Sequence, residues 1–189
     1  TPLVASLMKV VMVYSILGIP YLTLMPVFAR DRLGLGAGGY GLLLSCVGLG
    51  GFTGALSIAA RSGRQAGVKT LVASSYGFPI VLLALSLTRD VHLAYVVLFA
   101  AGIAMIINGA VSNAVLQHSV PDALRGRIMA AYAFVVIGLA QTVGSFSAGV
   151  VARAFGVQWA IAIGAAAMLA YGLYAFRRPP FRNPAAVAA

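Results

Sequence analysis

Residues 93–116 read LAYVVLFAAGIAMIINGAVSNAVL, 24 consecutive positions without an Asp, Glu, Lys or Arg. A helix rises 1.5 Å per residue, so about 20 apolar residues cross a hydrocarbon core of about 30 Å. A charge at the centre of such a helix costs roughly 2.5 to 3.5 kcal/mol on insertion scales. The stretch therefore reads as a membrane span, and the rest of the chain repeats the pattern. Uncharged runs at 10–29, 39–60, 70–88, 128–152 and 157–176 are each 19 to 25 residues long, and all sixteen charges fall outside the six runs. The predicted fold class is all-α, a polytopic bundle of six transmembrane helices occupying residues 1–189.

Composition points the same way. Of 189 residues, 61% are hydrophobic and 8% charged, against roughly 25% charged in soluble domains. A water-soluble domain is excluded. So is a transmembrane barrel, whose strands alternate apolar and polar over about 10 residues. The lone Cys46 offers neither a disulfide nor metal-ligand spacing. The first run is too long for the 7 to 15 residue core of a cleavable signal. A start at Thr1 rather than Met points to a piece of a longer chain.

Thirteen Lys and Arg against three acids give a net charge of +10. The basic residues are scattered over membrane-edge segments with no aromatic-interleaved groove, so no nucleic-acid partner is expected. Alternate connections share a side of the bilayer. Lys9, Arg61, Arg64, Lys69, Arg125, Arg127, Arg177, Arg178 and Arg182 gather on one side, and Arg30, Arg32, Arg89 and Arg153 on the other. The positive-inside rule makes the first side cytoplasmic, with both termini there. Trp159, Tyr171 and Tyr174 fit interfacial aromatic belts.

In lipid, small residues allow backbones to approach, and polar groups bond between helices. On the second span Gly41, Ser45 and Gly48 form one stripe and Gly50, Gly54 and Ser57 nearly the opposite one, which predicts contacts on two sides; the Gly50/Gly54 pair suits packing within the chain. On the fifth, Gly138, Gln141, Thr142, Ser145 and Gly149 share a face at 100° per residue. The fourth carries Asn108, Ser112, Asn113 and Gln117. The first carries Tyr14, Gly18, Tyr21 and Met25, and Pro20 and Pro26 should bend it. Amides at membrane depth must face protein or a watery cavity, which nominates Tyr14, Tyr21, Asn108, Asn113, Gln141 and Ser145 as cavity-lining residues. The plainer reading is that these groups bond neighbouring helices.

No catalytic constellation is legible. Asp31, Asp90 and Asp122 all sit in connections, no HExxH motif occurs, and His92 and His118 lie at span edges. The chain reads as a non-enzyme without cofactor or metal. For the same reason, a residue that titrates in proton coupling would lie outside this chain.

Two connections carry a family likeness. Arg61-Ser62-Gly63-Arg64 resembles the R-x-G-R part of the signature loop of the major facilitator superfamily, as it recurs between the eighth and ninth helices; Leu56 and Ala60 stand where the family pattern has glycine and aspartate. Pro26-Val27-Phe28-Ala29-Arg30-Asp31, Gly39-Tyr40-Gly41-Leu42-Leu43, and Val120-Pro121-Asp122 followed by Arg125-Gly126-Arg127 are similar to the C-terminal six-helix half of the branch that includes bacterial enterobactin exporters and related efflux carriers.

The likeness implies helices seven to twelve of a twelve-helix carrier in the bacterial inner membrane. Its partners would be the lipid bilayer, an N-terminal six-helix half and a small organic substrate exported by alternating access, with protons as the exchanging ion. Pro121 and Asp122 suit a helix start and predict a short interfacial helix. There Arg125 and Arg127 either gate the carrier by pairing with the other bundle or only set topology; Asp31, between Arg30 and Arg32, admits the same two readings on the opposite side. The alternative from another class is a non-transporting six-helix subunit or scaffold.

Overall fold

The computed structural model describes residues 2–60, 68–178 and 181. Helices α1 (Pro2–Gly18) and α2 (Pro20–Leu33) form the first span, α3 (Ala37–Ala59) the second, α4 (Val68–Leu87) the third and α5 (Val91–Ser119) the fourth. Helix α6 (Asp122–Ala133), a π-helical segment (Phe134–Gly144) and α7 (Ser145–Phe155) run on as the fifth, and α8 (Val157–Phe176) is the sixth. No strand occurs among the described residues. Six helices are long and apolar enough to cross a membrane, as the uncharged runs require. Only helices and closed barrels satisfy every backbone group in lipid.

The helices overrun the runs that announce them. The first extends from Leu3 to Leu33 and the fifth from Asp122 to Phe155. Arg30, Asp31, Arg32, Asp122, Arg125 and Arg127 therefore sit on helical ends, because charge is costly only in the hydrocarbon and does not stop a helix at its edge. The expected short interfacial helix after Pro121 is corrected in the same way: the helix begins there and continues across the bilayer.

Turns are tight at one end of the bundle. Gly34 closes α2 at φ 66°, its N–H donating to the Ala29 and Arg30 carbonyls. Gly156 joins α7 to α8 at φ 96°. Both conformations belong to the region only glycine adopts readily. Asp90 caps α5, its carboxylate accepting from the Leu93 amide at 2.8 Å.

Helix α5 lies between α3 and α4, and α8 packs against α4, α1 and α7. The face of α3 buried against α5 is Leu43, Val47, Gly50 and Gly54, spaced four, three and four. Gly41 and Gly48, on the other stripe, meet nothing within 4 Å of where a side chain would start. The Gly41/Gly48 stripe is thus open within the chain, while α3 meets α5 along its other stripe and also touches α2.

The first span does break at its proline. Pro20 has no N–H to offer the Ile16 carbonyl, and the helix gives way to a turn at Ile19. Gly144 fills the notch: a Cβ there would lie 2.5 Å from the Ile16 oxygen and 2.8 Å from Pro20 Cγ. A glycine Cα–H beside an unbonded carbonyl is a weak donor. Gly144→Ala is expected to lose about 1 to 3 kcal/mol by overpacking, with faster amide exchange at Ile19 and Leu22. Gly138→Ala, whose nearest neighbour is its own helix's Phe134 at 3.4 Å, should change neither.

Candidate functional site

A cavity of about 780 Å³ opens between α1, α4, α5 and α6. Helix α5 supplies the longest wall, from Met105 to His118; Tyr14 and Ser15 of α1, Phe78 of α4, Tyr132 of α6 and Val136 of the π-helical segment complete it. Its lining is largely aliphatic and aromatic with a few amides and hydroxyls, the composition of a site for small organic molecules.

Three of the six sequence-nominated residues line it. Tyr14 is 5% exposed and its hydroxyl donates to the Met168 carbonyl at 3.3 Å, which ties α1 to α8. Asn108 is buried, its amide donating to Ser75 Oγ at 3.1 Å and Ser74 Oγ at 3.5 Å; it serves helix packing as well as the wall. Asn113 is freer. It accepts a hydrogen bond from the Gln117 amide, and Tyr132 lies within hydrogen-bonding reach of it.

The other three stand elsewhere. Tyr21 is 2% exposed, packed edge-on to Phe78 with ring centroids 6.1 Å apart, its hydroxyl 3.8 Å from Met105 Sδ. Ser145 bonds to Thr23 Oγ1 at 3.0 Å, joining α7 to α2. Gln141 is exposed on the π-helical segment. Along that segment hydrogen bonds run from i to i+5, so a 100° wheel drifts out of phase, and buried Gly144 replaces the expected face.

Tyr132 and His118 also line the cavity, outside the six nominated residues. Tyr132 falls inside the fifth uncharged run, one turn from its start, where an aromatic at a span's end reads as an anchor. His118 reads as a solvated edge histidine, yet it faces the cavity mouth. Its Nδ1 is 2.7 Å from the Ala114 carbonyl. A carbonyl only accepts, so the ring donates through Nδ1–H in this contact. The lining holds no carboxylate, Lys or Arg.

Among the nominated gate residues, Asp122 and Arg125 pair along α6 at 2.5 Å, one turn apart and exposed. Arg127 is exposed. Arg61, Gly63 and Arg64 lie outside the described residues. At the opposite end Arg30 Nε donates to Asp31 Oδ1 at 2.6 Å.

A family model described as a transmembrane secretion effector matches residues 2–187. No curated protein and no solved structure matches the chain.

Proposed function

The chain belongs to the transmembrane secretion effector family of the major facilitator superfamily, and from that premise we propose that it is one six-helix half of a carrier that exports small amphipathic organic molecules by alternating access. The chain is a membrane-embedded transporter of the major facilitator type and not an enzyme. The observation that supports the finer reading is the open, mostly apolar cavity with Tyr14, Asn113 and Tyr132 on its wall.

In this reading a second bundle faces the cavity, both termini are cytoplasmic by the basic asymmetry, and the membrane is the bacterial inner membrane. The substrate lies along the apolar wall of α5 and is oriented by the amide of Asn113. Alternation rocks one bundle against the other, and the charged ends Asp122, Arg125 and Arg127 meet or leave the partner bundle. The motifs at Pro26–Asp31 and Pro121–Arg127 support a place beside the branch that includes enterobactin exporters.

His118, the one imidazole on the cavity wall, is the proton-exchanging group of the proposal. This departs from the expectation that any coupling residue lies beyond this chain. The test is transport of a fluorescent amphipathic dye by the complete carrier in liposomes, with and without an imposed pH gradient. A gradient of one pH unit is expected to concentrate the dye up to about tenfold at steady state, the ratio that one exchanged proton supports (about 1.4 kcal/mol). His118→Gln should retain movement down a dye gradient and lose that accumulation. Absence of dye movement in the wild type would overturn the transport reading; a full gradient response in His118→Gln would overturn the role of the histidine alone.

A further inference from the structure

A second cavity, of about 180 Å³, lies at the end of the bundle that carries the Gly34 and Gly156 turns. It is lined by Arg32 at the end of α2, Ser86, Leu87 and Arg89 where α4 gives way to α5, and Gln158 and Trp159 in the first turn of α8. The cavity is far from the six spans' middle and shares no residue with the larger one.

Its lining holds two guanidinium groups and no carboxylate. Asp31 is engaged by Arg30 at 2.6 Å, and Asp90 is spent capping α5 at the Leu93 amide. Neither Arg32 nor Arg89 has an ion-pair partner among the described residues. Arg32 Nε is buried and has no hydrogen-bond acceptor, an arrangement that costs free energy unless a ligand supplies one. Helix α8 starts here with no side-chain cap on its first N–H groups, which adds the positive end of a 20-residue helix to the two guanidinium groups.

From these features we infer that the Arg32–Arg89 cavity is a binding site for a phosphate group at the membrane edge. Guanidinium forks match phosphate oxygens, the Gln158 amide adds a further donor, and a space several times the ~30 Å³ share of one water accommodates a tetrahedral oxyanion. Trp159 and Leu87 are 57% and 78% exposed and give the site an apolar rim that suits a phospholipid headgroup; inorganic phosphate offers the same oxygens. The site is independent of the transport reading.

Trp159 is the only tryptophan in the chain, so its fluorescence reports on this cavity directly. The full chain in a neutral detergent is titrated with phosphatidylglycerol in mixed micelles and, separately, with inorganic phosphate, each against sodium chloride of equal ionic strength. A saturable change in Trp159 emission is expected. Saturation with the lipid alone identifies the headgroup as ligand, and saturation with both identifies the phosphate group itself. Arg32→Gln and Arg89→Gln should each weaken binding about tenfold, whereas Arg153→Gln, outside the cavity lining, should shift it less than about twofold. Arg89 is exposed, unlike the half-buried Arg32, so its variant remains informative where Arg32→Gln does not fold. No saturable change with either probe, or wild-type binding by Arg89→Gln, would overturn the inference.

Discussion

Gly102→Ala is expected to lower the thermal unfolding midpoint of the chain in detergent by roughly 6 to 12 °C, from a loss of about 3 kcal/mol at this chain length. A Cβ on Gly102 would stand 2.2 Å from the Val47 carbonyl oxygen and 2.9 Å from the Gly51 nitrogen. From the other side, a Cβ on Gly50 would stand 2.0 Å from the Phe99 oxygen, and one on Gly54 3.0 Å from the Ile103 oxygen. The obstructing atoms are backbone and have no rotamer to change. One added methyl must therefore push α3 and α5 apart along their whole seam, and in lipid such packing is what holds helices together. Gly50→Ala should match it. Gly48→Ala, on the same α3 but with nothing within 4 Å, should be neutral or stabilising by up to about 1 kcal/mol, the helix propensity gained. One substitution type on one helix thus has two signs. An unchanged midpoint for Gly102→Ala would mean that the two backbones are not in contact.

That contrast shows where sequence is and is not informative. Six spans are legible because charge is forbidden at membrane depth, so its absence marks each crossing. Their ends are less so: Asp122, Arg125 and Arg127 look like a loop but extend a helix, because the headgroup region tolerates both. Gly50 and Gly48 look alike in sequence, both small and both in stripes. What separates them is the presence of Gly102 opposite one stripe, a long-range fact that a helical wheel does not contain. The Gly41/Gly48 stripe is left open in the chain, and the carrier proposed above gives it either lipid or the second bundle to face.

The candidate cavity was half legible for a related reason. Tyr14, Asn108 and Asn113 lie on regular α-helix, where 100° per residue holds and a polar stripe on α5 turns inward as a unit. The same angle puts Gln141 and Ser145 on one face, but across a segment whose hydrogen-bond register differs. A stripe that joins Tyr21 to Tyr14 crosses the break at Ile19, where that rotation is interrupted. Its ring packs against Phe78 and its hydroxyl reaches Met105. His118 and Tyr132 come from different spans, and their sharing of one cavity mouth is a property of the α5–α6 connection, only two residues long at 120–121.

The difference between wall and exterior gives the second large expected effect. Asn113→Leu in the complete carrier should reduce transport of the amphipathic dye by up to about tenfold while leaving folded protein and its unfolding midpoint near wild type. Asn113 lines the cavity and is only half-buried, so losing its carboxamide leaves Gln117 and the cavity-lining Tyr132 free to bond water, and the structural cost is small. What is lost is a polar contact that orients the substrate, worth about 0.5 to 1.5 kcal/mol per hydrogen bond, or roughly two- to twelvefold in rate or affinity. Asn108→Leu should behave differently: it strips the buried bonds to Ser74 and Ser75, and its loss of transport should come with a lower midpoint. Gln141→Leu, exposed and away from the cavity, should leave both unchanged. Initial rates of dye movement in liposomes, normalised to folded carrier, separate the three. If Gln141→Leu impairs transport and Asn113→Leu does not, the substrate runs along the π-helical face, and the cavity between α1, α4, α5 and α6 is not its path.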